Sequence, residues 1–146
     1  MAANQHHNLK GRPRRFATPE QLWQAASAYF EWCEAHPLFK VQWVGGIAKR
    51  VNIEIPRPFT LSGLRLHLRC GVNYLSQLKK RLTDSPQDRE LEDIINRIEL
   101  VIYEQKFVGA AVGIYNVSII ARDLGLMNRK TIKNIEPQKQ AVYHLA

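Results

Sequence analysis

Tyr103-Glu-Gln-Lys-Phe-Val-Gly-Ala-Ala-Val-Gly-Ile-Tyr-Asn-Val-Ser-Ile-Ile-Ala-Arg-Asp-Leu-Gly-Leu126 carries one charged residue, Arg122, between Lys106 and Asp123. Ala110, Ala111, Ile114, Val117, Ser118 and Ala121 are small or slender enough for two helices to approach closely, and the glycines from Gly109 to Gly113 permit a bend or a close crossing. The second helix is expected to run to about Leu124, with Gly125 as its stop. Upstream, Ser85-Pro86 starts a longer helix whose first turn holds Asp88 and Glu90, where the macrodipole favours acids. Leu91, Ile94, Ile95, Ile98, Val101 and Ile102 recur at helical spacing, and Phe107 follows near the end. Such a pair of helices cannot bury both its faces alone. It needs the rest of the chain or other copies.

Farther back, Thr60 caps a short helix with Leu61, Leu64 and Leu68 inward. Cys70-Gly71-Val72 interrupts it, and a second helix places Leu75, Leu78 and Leu82 inward. Helix, glycine turn, helix is the spacing of a helix-turn-helix. Asn73, Gln77, Lys80 and Arg81 fall on or near its opposite face, and those residue types bond base edges and phosphates. An ordinary helical hairpin with a solvated polar face has the same pattern. From Leu38 to Phe59 the period drops to two. Phe39, Val41 and Trp43 alternate with polar residues, as do Val51, Ile53 and Ile55, with Gly45-Gly46 between the runs and Pro56 and Pro58 after them. This predicts a β-hairpin of open register, since the turn can include Ile47 to Arg50. Thr18-Pro19-Glu20-Gln21 predicts a helix start, and Pro37 an end near Ala35.

The expected fold class is mainly α with a small β-hairpin. Its parts are a flexible basic arm at 1–17 and a helix-turn-helix-like head at 18–82. A helical-hairpin oligomerisation core follows at 83–126, then a short tail at 127–146. In the tail, Thr131, Ile132 and Ile135 suggest one strand.

The chain of 146 residues carries a formal net charge of +8. The distribution matters more than the total. Residues 1–15 hold four bases and no acid, and residues 37–82 hold nine bases against Glu54 alone. Residues 83–108 hold three bases against seven acids. That segregation predicts an electropositive face for a polyanionic partner. Its candidate DNA contacts are Lys10, Arg12, Arg14 and Arg15 on the arm, and Arg65, Arg69, Asn73, Gln77, Lys79, Lys80 and Arg81 on the head. The candidate self-association residues are Leu91, Ile95, Ile98, Ile102, Ala110, Ile114 and Ala121.

No Walker A, GxGxxG or HExxH pattern occurs, and the histidines have no cysteine partner at metal-ligand spacing. Cys33 and Cys70 lie on apolar helix faces without a CxxC pair and read as reduced thiols in packing positions. Neither an enzyme signature nor a cofactor or metal site is expected. The polar, basic start reads as no signal peptide, and the uncharged run from Phe107 to Ala121 is too short to span a membrane, so a cytoplasmic protein is expected.

Several segments together resemble the phage terminase small subunits of short-tailed enterobacterial phages that package DNA by a headful mechanism. They are Thr18-Pro-Glu-Gln-Leu-Trp23, Tyr29-Phe-Glu-Trp-Cys-Glu-Ala-His-Pro-Leu38, Thr60-Leu-Ser-Gly-Leu64, Val101-Ile-Tyr-Glu-Gln-Lys-Phe107 and Asn116-Val-Ser-Ile-Ile-Ala-Arg-Asp-Leu-Gly-Leu126. The similarity is collinear over residues 18–126. It implies a non-enzymatic ring of copies in the host cytoplasm that recognises the packaging initiation site on viral double-stranded DNA. It also implies a large terminase subunit as partner, holding the ATPase and nuclease. A dimeric helix-turn-helix transcription regulator, and a structural virion or scaffold protein whose basic face neutralises packaged DNA, are the competing readings.

Overall fold

The computed structural model describes residues 14–126 as five helices and one two-stranded antiparallel sheet. Residues 1–13 of the arm expected at 1–17, with Lys10 and Arg12, and the expected tail strand lie outside the described residues. Helix α1 spans Pro19–Ala35. The Thr18 hydroxyl accepts from the Gln21 amide at 3.2 Å, and the Gln21 side-chain carbonyl accepts from the Ala17 amide at 3.0 Å. The reciprocal bond of a capping box therefore forms, one residue earlier than the usual Thr18 amide. The chain turns at His36 before Pro37, which disfavours helical geometry in the residue preceding it.

Strands β1 (Leu38–Val44) and β2 (Lys49–Ile55) pair in the register Leu38↔Ile55 to Val44↔Lys49, closed by Gly45 to Ala48. The register left open by the sequence is thus fixed by a four-residue loop in which Gly45 takes φ +78° and Ala48 φ +42°. Short helices α2 (Leu61–His67) and α3 (Tyr74–Arg81) follow. Thr60 caps α2, accepting from the Gly63 amide at 2.9 Å.

Helix α4, Pro86–Ala111, is the long element, started by the Ser85 hydroxyl accepting from the Asp88 amide. It runs straight through Gly109. The chain reverses at Gly113, where φ is +80°, a conformation that suits glycine because no Cβ obstructs it. Helix α5 spans Val117–Asp123 with Leu124 as its cap, ending where expected but starting only at Val117. Asn116 caps it, and Gly125 ends it at φ +68° with the Leu126 amide donating to the Ala121 carbonyl at 2.8 Å.

One apolar cluster joins these parts. Leu22, Ala26, Tyr29, Phe30 and Cys33 of α1 meet Leu64 and Leu68, Leu75 and Leu78, and Leu91, Ile95, Ile98 and Ile102 of α4. Helix α1 lies along α4, α2 rests on α1, and α3 rests on α4. Phe30 stacks on Phe59 at 4.7 Å between centroids, and Arg97 sits 4.3 Å over the Trp23 ring. The boundary expected at 82/83 crosses this cluster. The α4 stripe is 0–2 % exposed at Leu91, Ile95, Ile98 and Ile102, so inside the single chain it already has its partner in α1 and α3.

Candidate nucleic-acid interface

The sequence places Arg14 and Arg15 more than fifty positions from Arg69 and Arg81, and the fold brings them together. The Arg14 guanidinium bonds Asp88 at the start of α4, at 2.5 and 3.3 Å. Asp88 also accepts from the Thr83 amide at 2.8 Å and the Thr83 hydroxyl at 2.7 Å. Arginine and the Thr83 donors stabilise the ionised carboxylate and hold its pKa well below the usual range. With Arg14 anchored, Arg15 donates to the Arg69 carbonyl at 2.6 Å.

These contacts close a cleft of about 710 Å³ lined by Arg14, Arg15, Arg69, Cys70, Gly71, Tyr74, Gln77, Leu78 and Arg81. Its lining holds four arginines, of which Arg14 is paired with Asp88, and among the described residues no acid lines it. Gln77 and Arg81 stand four residues apart on one face of α3, which is why both reach it. Burial raises the pKa of Tyr74, whose hydroxyl is buried without a hydrogen-bond partner among the described residues, and of Cys70. Arg69 has left-handed backbone, φ +52°, because it terminates α2, with the Cys70 amide donating back to the Arg65 carbonyl.

Five of the expected DNA-contact residues therefore converge: Arg14, Arg15, Arg69, Gln77 and Arg81. Asn73 and Lys80 are exposed on α3 outside the cleft lining. Arg65 is half-buried on α2, its Nε lacking a partner among the described residues. Lys79 bonds Glu99 of α4 at 2.8 Å, so this lysine ties α3 to α4. Most of the acids at 84–104 lie on the outer face of α4 as expected, but Asp88 is buried because Arg14 and Thr83 answer it.

At the other end of α4, Gln105 is a junction that the sequence reading passed over. Its amide nitrogen donates to the Arg57 carbonyl at 3.1 Å and to the Tyr115 hydroxyl at 2.9 Å, and its oxygen accepts from the Phe59 amide at 3.0 Å. Tyr115 donates to the Pro56 carbonyl at 3.0 Å. Its ring lies against Gly109, where any Cβ would collide with it. Lys106, buried in line with Ile98 and Ile102, pairs with Asp123 and fastens α5 to α4. A lysine in an apolar row, with an aspartate beyond the next turn, was the available signal. Of the remaining self-association candidates, Ile114 is 46 % exposed while Ala110 and Ala121 are half-buried.

A mainly helical chain with a hairpin and an arginine-lined cleft is a candidate binder of polyanions. The family model of DNA-packaging protein gp3 matches residues 11–132, and the chain belongs to that family. It is 36 % identical over 131 residues to the terminase small subunit of Salmonella phage P22, covering 88 % of this chain and 76 % of that protein. The role in bacteriophage DNA packaging expected from the sequence resemblance is thereby established. No helix among the described residues is long and apolar enough to cross a membrane.

Proposed function

We propose that this chain is the DNA-recognition and regulatory subunit of a packaging terminase. It binds viral double-stranded DNA at the packaging initiation site and assembles into a closed ring of copies in the host cytoplasm. It recruits and regulates the large terminase subunit, and the ATPase and nuclease chemistry belongs to that partner. Family membership favours this reading over a dimeric transcription regulator. The observation that carries the DNA-binding part is the convergence of Arg14, Arg15, Arg69 and Arg81 in one cleft beside Gln77. The turn at Leu68–Asn73 and helix α3 line this cleft together with Arg14 and Arg15. Arginines at this spacing suit phosphates, and Gln77 suits a base edge.

Self-association is supported by apolar surface that the chain leaves uncovered on α4 and α5. Leu100, Val112, Val117 and Ile119 are each 60–66 % exposed.

Affinity for duplex DNA, measured by anisotropy over a salt series, tests the cleft. Each phosphate contact contributes about 0.9 to the log–log slope. Arg69→Ala with Arg81→Ala should lower the slope by about 1.8 and weaken binding to all sequences. An unchanged slope and affinity would remove the cleft from the interface. Arg14 is left intact in this test because it also holds Asp88.

A further inference from the structure

Residues 14–17 bridge the start of α4 and the turn between α2 and α3, and each of them is held there. Arg14 bonds Asp88 of α4, and Arg15 donates to the Arg69 carbonyl. The Phe16 ring meets the Tyr74 ring edge-on, with centroids 6.1 Å apart, and the Ala17 carbonyl accepts from the Gln87 side chain at 3.2 Å. Arg14 and Arg15 line the arginine cleft, so the ties to α4 at either end of this segment set where that wall stands.

The tie at Arg14 is made by a residue turned away from a more local use. Asp88 stands three residues after Ser85, the N-cap of α4. From that position an acidic side chain can reach back to the N-cap amide and complete a reciprocal cap. Here the Ser85 amide goes to the Thr83 hydroxyl at 3.4 Å, and the Asp88 carboxylate takes Arg14 and the Thr83 donors instead. An arginine has five N–H donors, and the bonds to Asp88 take two of them, so the anchored guanidinium keeps donors for a phosphate.

A carboxylate beside a DNA-binding cleft ordinarily opposes binding, because it repels phosphate. Asp88 is 5 % exposed and its charge is answered by Arg14, so its repulsion is muted while its hold on the segment remains. A wall ordered beforehand also costs less to bind than one that DNA must order itself.

We propose that Asp88, aided by Gln87, is a positioning residue for DNA binding: it fixes residues 14–17 so that Arg14 and Arg15 stand in the cleft before DNA arrives. Neither Asp88 nor Gln87 lines the cleft. This rests on the DNA-binding part of the proposed function and adds to it an acid that favours a polyanion.

Duplex-DNA affinity at fixed salt tests it, at a temperature where circular dichroism shows each variant folded. Asp88→Asn should weaken binding about tenfold, the equivalent of ordering roughly one residue's backbone on binding. Glu90→Gln removes the same charge from an exposed position of α4 and should bind as tightly as the natural chain or more tightly. Arg14→Gln with Asp88→Asn should bind no more weakly than Arg14→Gln alone, since both act through one bond. Gln87→Ala removes an exposed, uncharged side chain and should also weaken binding, and it stands in where Asp88→Asn does not fold. Natural-strength or tighter binding by Asp88→Asn, or by Gln87→Ala in its place, overturns the proposal, as do losses that add in the double variant. The cleft itself survives those outcomes. Unchanged affinity in Arg69→Ala with Arg81→Ala removes the cleft, and the proposal falls with it.

Discussion

Arg69 sits in left-handed backbone, a conformation that costs a residue bearing a Cβ about 1–2 kcal/mol. Glycine takes it freely, and helix ends of this form usually have glycine there. Arg69→Gly should therefore raise stability, by up to about 1 kcal/mol in denaturant titration, while weakening DNA binding. Strain kept at a cleft arginine is the pattern of a residue held for a task other than folding. Asp88 makes a second residue-scale prediction. Its folded pKa is depressed, so its contribution is fully present above the unfolded carboxylate's value of about 3.9 and is lost as pH falls toward the folded value. Asp88→Asn should melt below the natural chain at pH 7, and the gap should narrow as pH drops below about 4. A gap independent of pH would place the carboxylate's partner elsewhere. Neither the Arg14–Asp88 bond nor the Arg15–Arg69 bond was legible beforehand. Each spans more than fifty residues, and no local pattern encodes which arginine finds which acceptor.

At the scale of elements the sequence was a good guide where a local rule governs. Thr18, Thr60 and Ser85 mark helix starts because a side-chain oxygen there satisfies an otherwise orphaned amide. Proline and glycine mark the ends for equally local reasons. The apolar stripe of α4 was also legible, but not its partner, since periodicity gives a buried face and not what covers it. Leu91, Ile95, Ile98 and Ile102 turn out to face α1 and α3 of the same chain. Ile98→Ala should consequently cost about 2–5 kcal/mol in unfolding of the single chain, readable under conditions where no assembly forms. Loss of assembly with unchanged monomer stability would contradict that placement. The bend was expected anywhere from Gly109 to Gly113. Tyr115 decides it: its ring occupies the space beside Gly109, so the helix needs glycine there for clearance and reverses at Gly113 instead.

Across the whole molecule, charge is sorted by surface. Arginines gather where residues 14–15 cross the end of α2 and the start of α3, while the outer face of α4 is acidic. Sequence segments showed the imbalance, but the cleft itself exists only once the two arginine-bearing stretches meet. The exposed hairpin is the reverse case. Its alternation was plain in the sequence, yet alternation ordinarily means one buried face, and the pairing register was required to show that the apolar rows point opposite ways.

Gln105 grips both the root of that hairpin and the turn beyond α4, through Phe59, Arg57 and Tyr115. In a closed ring of copies, the angle between the two surfaces by which a copy meets its neighbours equals the rotation between them, and a circle closes only when that rotation divides a full turn. One amide would thus act as a protractor for the number of copies. Gln105→Ala should loosen the angle between the hairpin and the turn beyond α4, because it removes the bonds to Arg57, Phe59 and Tyr115. Native mass spectrometry should then find a spread of stoichiometries, and a single unchanged count would mean that the angle is set elsewhere.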